Sequence, residues 1–199
     1  MHACPEHLFR AAGLARLLAG DDHAEQVVLA GLVHVDGAHQ PSLAYVPYLI
    51  TGDFYYFEEM AFWANHNMLR KNHAYRDGAK GLLKSDQTRG QAWTLRNLVH
   101  AVSLAPDGSK EKDYLGAKLD INLAWYKAYA TADDASPLGI YGATHAYTRG
   151  WTQKDGWRSR YFSMPCWQHS FLTWAFAHAV DHGYADAAPF RDYLMRFSV

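Results

Sequence analysis

The feature that most constrains this chain is a recurring pattern: an apolar stripe at helical spacing, a short break, and a second stripe. In the middle copy Leu95, Leu98, Val99 and Val102 are followed by Ala105-Pro106-Asp107-Gly108, then by Leu115, Leu119, Leu123 and Tyr126. Steps of three and four residues put such side chains on one face of an α-helix. In the first copy Leu43, Val46 and Ile50 precede Thr51-Gly52-Asp53, and Phe57, Met60, Ala61, Ala64 and Met68 come after it. In the last, Phe171, Ala175 and Ala179 lead to His182-Gly183, with Phe190, Tyr193, Leu194 and Phe197 beyond. The pattern predicts an all-α chain of helical-hairpin repeats, with hairpins at about 39–69, 89–130 and 167–197. A single hairpin cannot cover its own stripe, so each needs a neighbour.

The remaining segments are less regular. Leu8, Ala11, Ala12, Ala15 and Leu18 predict a further helix over 6–19, while Val27 to Val33 is apolar throughout and fits a helix or a short buried strand. Pro47 falls inside the first predicted helix, where it would forfeit a backbone hydrogen bond and kink or interrupt it. Residues 131–166 carry Gly139, Gly142, Gly150, Tyr141, Tyr147, Trp151 and Trp157 without helical period. They read as a long aromatic loop folded over the helix starts.

Each hairpin opens on polar and aromatic residues: His39-Gln40-Pro41, Arg89-Gly90-Gln91-Ala92-Trp93 and Trp167-Gln168-His169. Thr88 is placed to cap the middle helix, with Gln91 completing a capping box. Free N–H groups and the positive dipole end make such helix starts suited to anions. Hairpins stacked in register would gather these openings on one rim, with Asp36 and Asp86 beside them. Paired Asp36 and Asp86 suit acid and base roles in glycoside chemistry if their surroundings separate their pKa values. His39 or His169 suits removal of a proton beside a uronic carboxylate, with Arg89 neutralising that carboxylate. Gln40, Gln91, Trp93, Trp167 and Trp151 are the expected sugar contacts, because indole faces pack on pyranose rings while polar tips bond hydroxyls. For every one of these residues a capping, loop or core role competes with the functional one.

Arg89-Gly90-Gln91-Ala92-Trp93, together with the Thr51-Gly52-Asp53 turn and the Tyr55, Tyr56 and Glu58 after it, resembles segments of the (α/α) toroid carbohydrate-active proteins. The likeness is nearest to the unsaturated glucuronyl hydrolases and other six-hairpin glycosidases. It extends over about 39–197 as architecture and over 89–93 as a site motif. Asp36 to Asp53 also resembles part of large bacterial proteins that end in a helical toroid. The resemblance implies an arc of an (α/α) toroid and a site for an acidic poly- or oligosaccharide, which the domain binds or cleaves as a hydrolase or a lyase. The alternative class is a non-catalytic helical scaffold for protein contacts.

Composition narrows the remaining classes. A net charge of −1 supplies no electrostatic footprint for nucleic acid. No stretch is apolar enough to span a membrane. Cys4 and Cys166 are too few for a disulfide framework or a thiolate metal site. His34, Asp36 and His39 are spaced suggestively for a metal, but nothing fixes them together, and neither metal nor cofactor is expected. The start lacks the basic and apolar regions of a signal peptide, so with Met1 as native start the expected location is cytoplasmic. The 199 residues read as a single domain. Three hairpins are fewer than a closed ring needs, so the domain is expected to pair with copies of itself or to belong to a longer chain.

Overall fold

A computed structural model describes residues 39–70, 73–84, 87–141 and 166–197. Among them the fold is all-α: α1 (Tyr45–Thr51), α2 (Phe54–Leu69), α3 (Thr88–Leu104), α4 (Lys110–Ala130), α5 (Cys166–Asp181) and α6 (Ala188–Met195). Short 3-10 turns at Gly78–Lys80 and Ala185–Ala187 complete it. No helix among the described residues is long and apolar enough to cross a membrane.

The breaks read from the sequence are where helices end and begin. Gly52 closes α1 in the left-handed region, and Asp53 opens α2 by accepting from the Tyr55 N–H at 3.0 Å. Ser109 opens α4 by accepting from the Lys112 N–H at 3.1 Å. Glu111 and Asp113 in that helix's first turn and Lys127 in its last suit the helix dipole.

Three local expectations are corrected. No capping box forms at α3: Thr88 is the first helical residue, and the Gln91 side-chain oxygen is spent on two phenols. Residues 39–44 are not helical, so α1 spans only 7 residues. Pro47 therefore falls in its first turn, where a missing N–H costs nothing. Finally, Leu43, Val46 and Ile50 are exposed rather than core-facing. The short helix is held through Tyr45 and Tyr48 instead, both packed against the core.

Contacts fix the sense of the last four helices. Gln91 meets Tyr126, and Gly116 faces Val102, so α3 and α4 are antiparallel. Phe176 meets Phe190 at 4.7 Å and His169 meets Phe197 at 5.1 Å, so α5 and α6 are antiparallel too. Between the pairs, Tyr126 packs on Phe190 and Tyr129 on Tyr193, which makes α4 and α6 parallel. The core lies between these layers, around Phe57, Met68, Leu95, Leu98, Leu119, Tyr126, Phe176 and Phe190. Burying each such side chain contributes about 1.5–3 kcal/mol.

Two polar devices pin the connections to this core. Buried Asn122 accepts from the Leu83 N–H at 2.7 Å and donates to the Gly81 carbonyl at 3.1 Å, tying the segment before α3 to α4. Gly139, at φ +70°, lies so close to the Tyr193 carbonyl that a Cβ there would stand 2.0 Å from its oxygen. No other residue fits.

Candidate functional site

The seam between α3 and α5 is built from two matched stripes. On α3 the residues are Arg89, Trp93, Arg96 and His100; on α5 they are Trp167, Phe171, Trp174 and His178. Both stripes step by four, three and four residues, so each occupies one helix face. They meet in order. The Arg89 guanidinium lies 5.7 Å over Trp167, the Trp93 and Phe171 rings are 4.8 Å apart, Arg96 lies 5.3 Å over Trp174, and His100 meets His178. A constant offset along both chains means that α3 and α5 run parallel, with their first turns at the same end.

At that end the Arg89 N–H donates to Gln168 Oε1 at 3.3 Å. A side chain of the adjacent helix thus satisfies one of the donors that a helix start leaves open. Arg89 Nε donates to Gln87 Oε1 at 3.4 Å, and Trp167 is 57% exposed. Midway, Arg96 sits between Trp93 at 5.7 Å and Trp174 at 5.3 Å. Its buried Nε has no hydrogen-bond partner, and burial lowers its pKa. Among the described residues no carboxylate pairs with it. Guanidinium does not deprotonate in the accessible range, so a half-buried cation is held there between indole faces.

The far end of the seam gathers three imidazoles. His100 Nε2 lies 2.7 Å from His178 Nε2, and one ring nitrogen from each of His100, His178 and His182 falls within 4.8 Å of the others. His182 follows His178 by four residues, and its N–H still donates to the His178 carbonyl at 3.1 Å, so both leave the same helix face. Tyr45 stacks on His100 with centroids 3.7 Å apart, and Ser42 Oγ lies 2.9 Å from His100 Nδ1. Trp174 stacks on His178 at 5.3 Å. Burial first, then the neighbouring His178, Arg96 and His182, holds the His100 pKa down to about 3. Burial also lowers that of His178, with His182 and Arg96 adding to the effect and Asp181 opposing it. Both rings are therefore neutral at pH 7.

The residues singled out from the sequence fare differently. Arg89, Trp93 and Trp167 lie together on the seam. Gln91 does not: it is fully enclosed, and its Oε1 accepts from the Tyr126 and Tyr141 hydroxyls at 2.5 and 2.8 Å. Burial raises the pKa of both phenols, so both stay protonated donors. His169 is buried on the side of α5 that faces α6, its Nε2 donating to the Gly139 carbonyl at 3.0 Å. Burial lowers its pKa and keeps it neutral. Gln40 is buried, with its backbone carbonyl accepting from Asn97 Nδ2 at 2.8 Å, while His39 beside it is exposed. Asp36, Asp86 and Trp151 lie outside the described residues, as do His34 and most of the long aromatic loop.

Sequence reading missed Arg96, His100, Trp174, His178 and His182. Their signal was present as a second period on helices already recognised by their apolar stripes. Comparison with known proteins finds no matching family model, no matching characterised protein and no matching solved structure.

Proposed function

We propose that these helix pairs form part of an (α/α) toroid whose α3–α5 seam receives an acidic poly- or oligosaccharide, which the domain binds or cleaves. The observation that carries this reading is Arg96: a guanidinium between two indoles, without a carboxylate partner among the described residues. A uronate carboxylate supplies the missing countercharge and matches the planar fork of the guanidinium. Trp167 and Trp174, both exposed to solvent on the same line, offer indole surface against which successive sugar rings can pack. Arg89 stands two turns from Arg96 on the same stripe, a second cation for a second uronate. The parallel sense of α3 with α5, and of α4 with α6, is what a toroid of stacked hairpins requires.

The test is calorimetric titration of the full chain with an oligo-hexuronate and with an uncharged oligosaccharide of the same length, at low and raised salt. The expected result is binding of the acidic glycan that weakens with salt, and weaker binding of the neutral one. Binding of neither glycan rejects the reading. In that event the scaffold alternative takes over, favoured by exposed Leu43 just before α1 and Val46, Leu49 and Ile50 on it.

A further inference from the structure

We propose that His100, His178 and His182 form a binding site for a single divalent transition-metal ion of the zinc class. The ligand atoms already converge within 4.8 Å, from two helices packed side by side. His178 in the last turn of α5 and His182, the residue just past its end, supply a pair at i and i+4, the spacing by which one helix face presents two imidazoles to one ion. His100 supplies the third ligand from across the seam.

Geometry and chemistry agree on this ion class. Neutral imidazole suits zinc, copper and nickel rather than calcium or magnesium, which require oxygen. Two nitrogens bound to one tetrahedral zinc at about 2.0–2.1 Å stand roughly 3.3 Å apart, so the His100–His178 pair must open by about 0.6 Å from its 2.7 Å contact. The other nitrogen pairs, within 4.8 Å, must close by up to about 1.5 Å to reach the same separation. The supports of a built site are also in place. Ser42 engages His100 Nδ1, which selects Nε2 as the ligating atom, and Tyr45 and Trp174 fix the ring planes of His100 and His178 by stacking. Three imidazoles leave a fourth tetrahedral position for water or an external ligand, the open coordination of catalytic zinc sites. This inference concerns the opposite end of the seam from Arg89 and stands whether or not a glycan binds.

The experiment uses the full chain without an affinity tag, stripped with a chelator and dialysed. Zinc is titrated by calorimetry, and cobalt by its visible absorption, which reports tetrahedral coordination. The expected result is one ion per chain at micromolar concentrations with a tetrahedral cobalt spectrum. His178→Ala and His182→Ala should each lower affinity by at least about tenfold, the smallest effect expected when even a supporting group is lost. His73→Ala, at an exposed position outside the cluster, should leave affinity unchanged. His182 is only half-buried at a helix end, so its variant tests the site without emptying the core. Circular dichroism checks that each variant is folded. No bound ion, or wild-type affinity in either folded cluster variant, overturns the site.

Discussion

The two ends of the α3–α5 seam are made by the same spacing and hold opposite chemistry. The first two-thirds sets permanent cations, Arg89 and Arg96, against indoles; the last turn sets three imidazoles against one another. Guanidinium keeps its charge despite partial burial because its pKa is so high, whereas burial makes the His100 and His178 imidazoles give theirs up. One end is therefore suited to anions and the other, once its lone pairs are free, to a metal cation. The ends are also anchored differently. Beneath the first, Gln91 locks two buried phenols; beneath the second, Ser42 and the Tyr45 ring support His100.

The largest expected effect breaks the first anchor. Gln91→Ala deprives Tyr126 and Tyr141 of their common acceptor in a closed core, and each stranded hydroxyl costs about 1–3 kcal/mol. Urea denaturation should show a loss of roughly 2–5 kcal/mol; an unchanged midpoint would mean that the phenols find other partners.

Acid should act mainly at the other end. His100 is depressed to about 3 in the folded chain, against about 6.5 when unfolded. The unfolded state therefore binds more protons below pH 6.5, and stability falls as pH falls, until the folded ring titrates near 3. The groups facing His100 are His178, His182, Arg96, Tyr45 and Ser42, with Asp181 acting on His178. One such proton gives a slope of up to about 1.4 kcal/mol per pH unit, or roughly 2 kcal/mol between pH 6.5 and 5. Denaturation curves across this range should flatten in His100→Gln; an equal slope in that variant would place the acid sensitivity elsewhere.

A smaller effect concerns the end that holds Arg89. Arg89→Lys keeps the charge and removes the planar fork, so affinity for an oligo-hexuronate should drop by about 1–2 kcal/mol with the neutral glycan unaffected. Equal losses for both sugars would deny Arg89 a carboxylate. Smallest of all, Ser42→Ala removes one hydrogen bond to His100 and should cost about 0.5–1.5 kcal/mol of stability, read by the same denaturation assay. No change would show that stacking by Tyr45 alone fixes the ring.

The apolar period along α2 to α6 was legible because it is the period that burial selects: Leu95, Leu98, Val99 and Val102 are all enclosed, as are Leu115, Leu119, Leu123 and Tyr126. The breaks were legible from Gly52, Asp53 and Ser109, whose conformations and side chains end or start helices for local reasons. What could not be read was decided by contacts distant in sequence. Gln91 looked like a capping and binding residue because nothing local reveals that Tyr126 and Tyr141 converge on it. Leu43, Val46 and Ile50 looked like a core stripe, but the chain turns helical too late for their face to pack inward. The site itself was half legible. Arg89, Trp93 and Trp167 stood out by residue type at a helix start, but the continuation of that face to Arg96, Trp174 and the three histidines appears only when the two stripes are laid side by side.

The most direct measurement of the account is the discrimination lost on replacing Arg96. Arg96→Gln preserves length and polarity but removes the cation held between Trp93 and Trp174. Calorimetric titration should then show an affinity for an oligo-hexuronate lower by at least about tenfold, the lower range for a charge-assisted hydrogen bond, with the matched neutral glycan bound as before. Undiminished binding of the acidic glycan by a folded Arg96→Gln chain would contradict the assignment of this seam as its receptor.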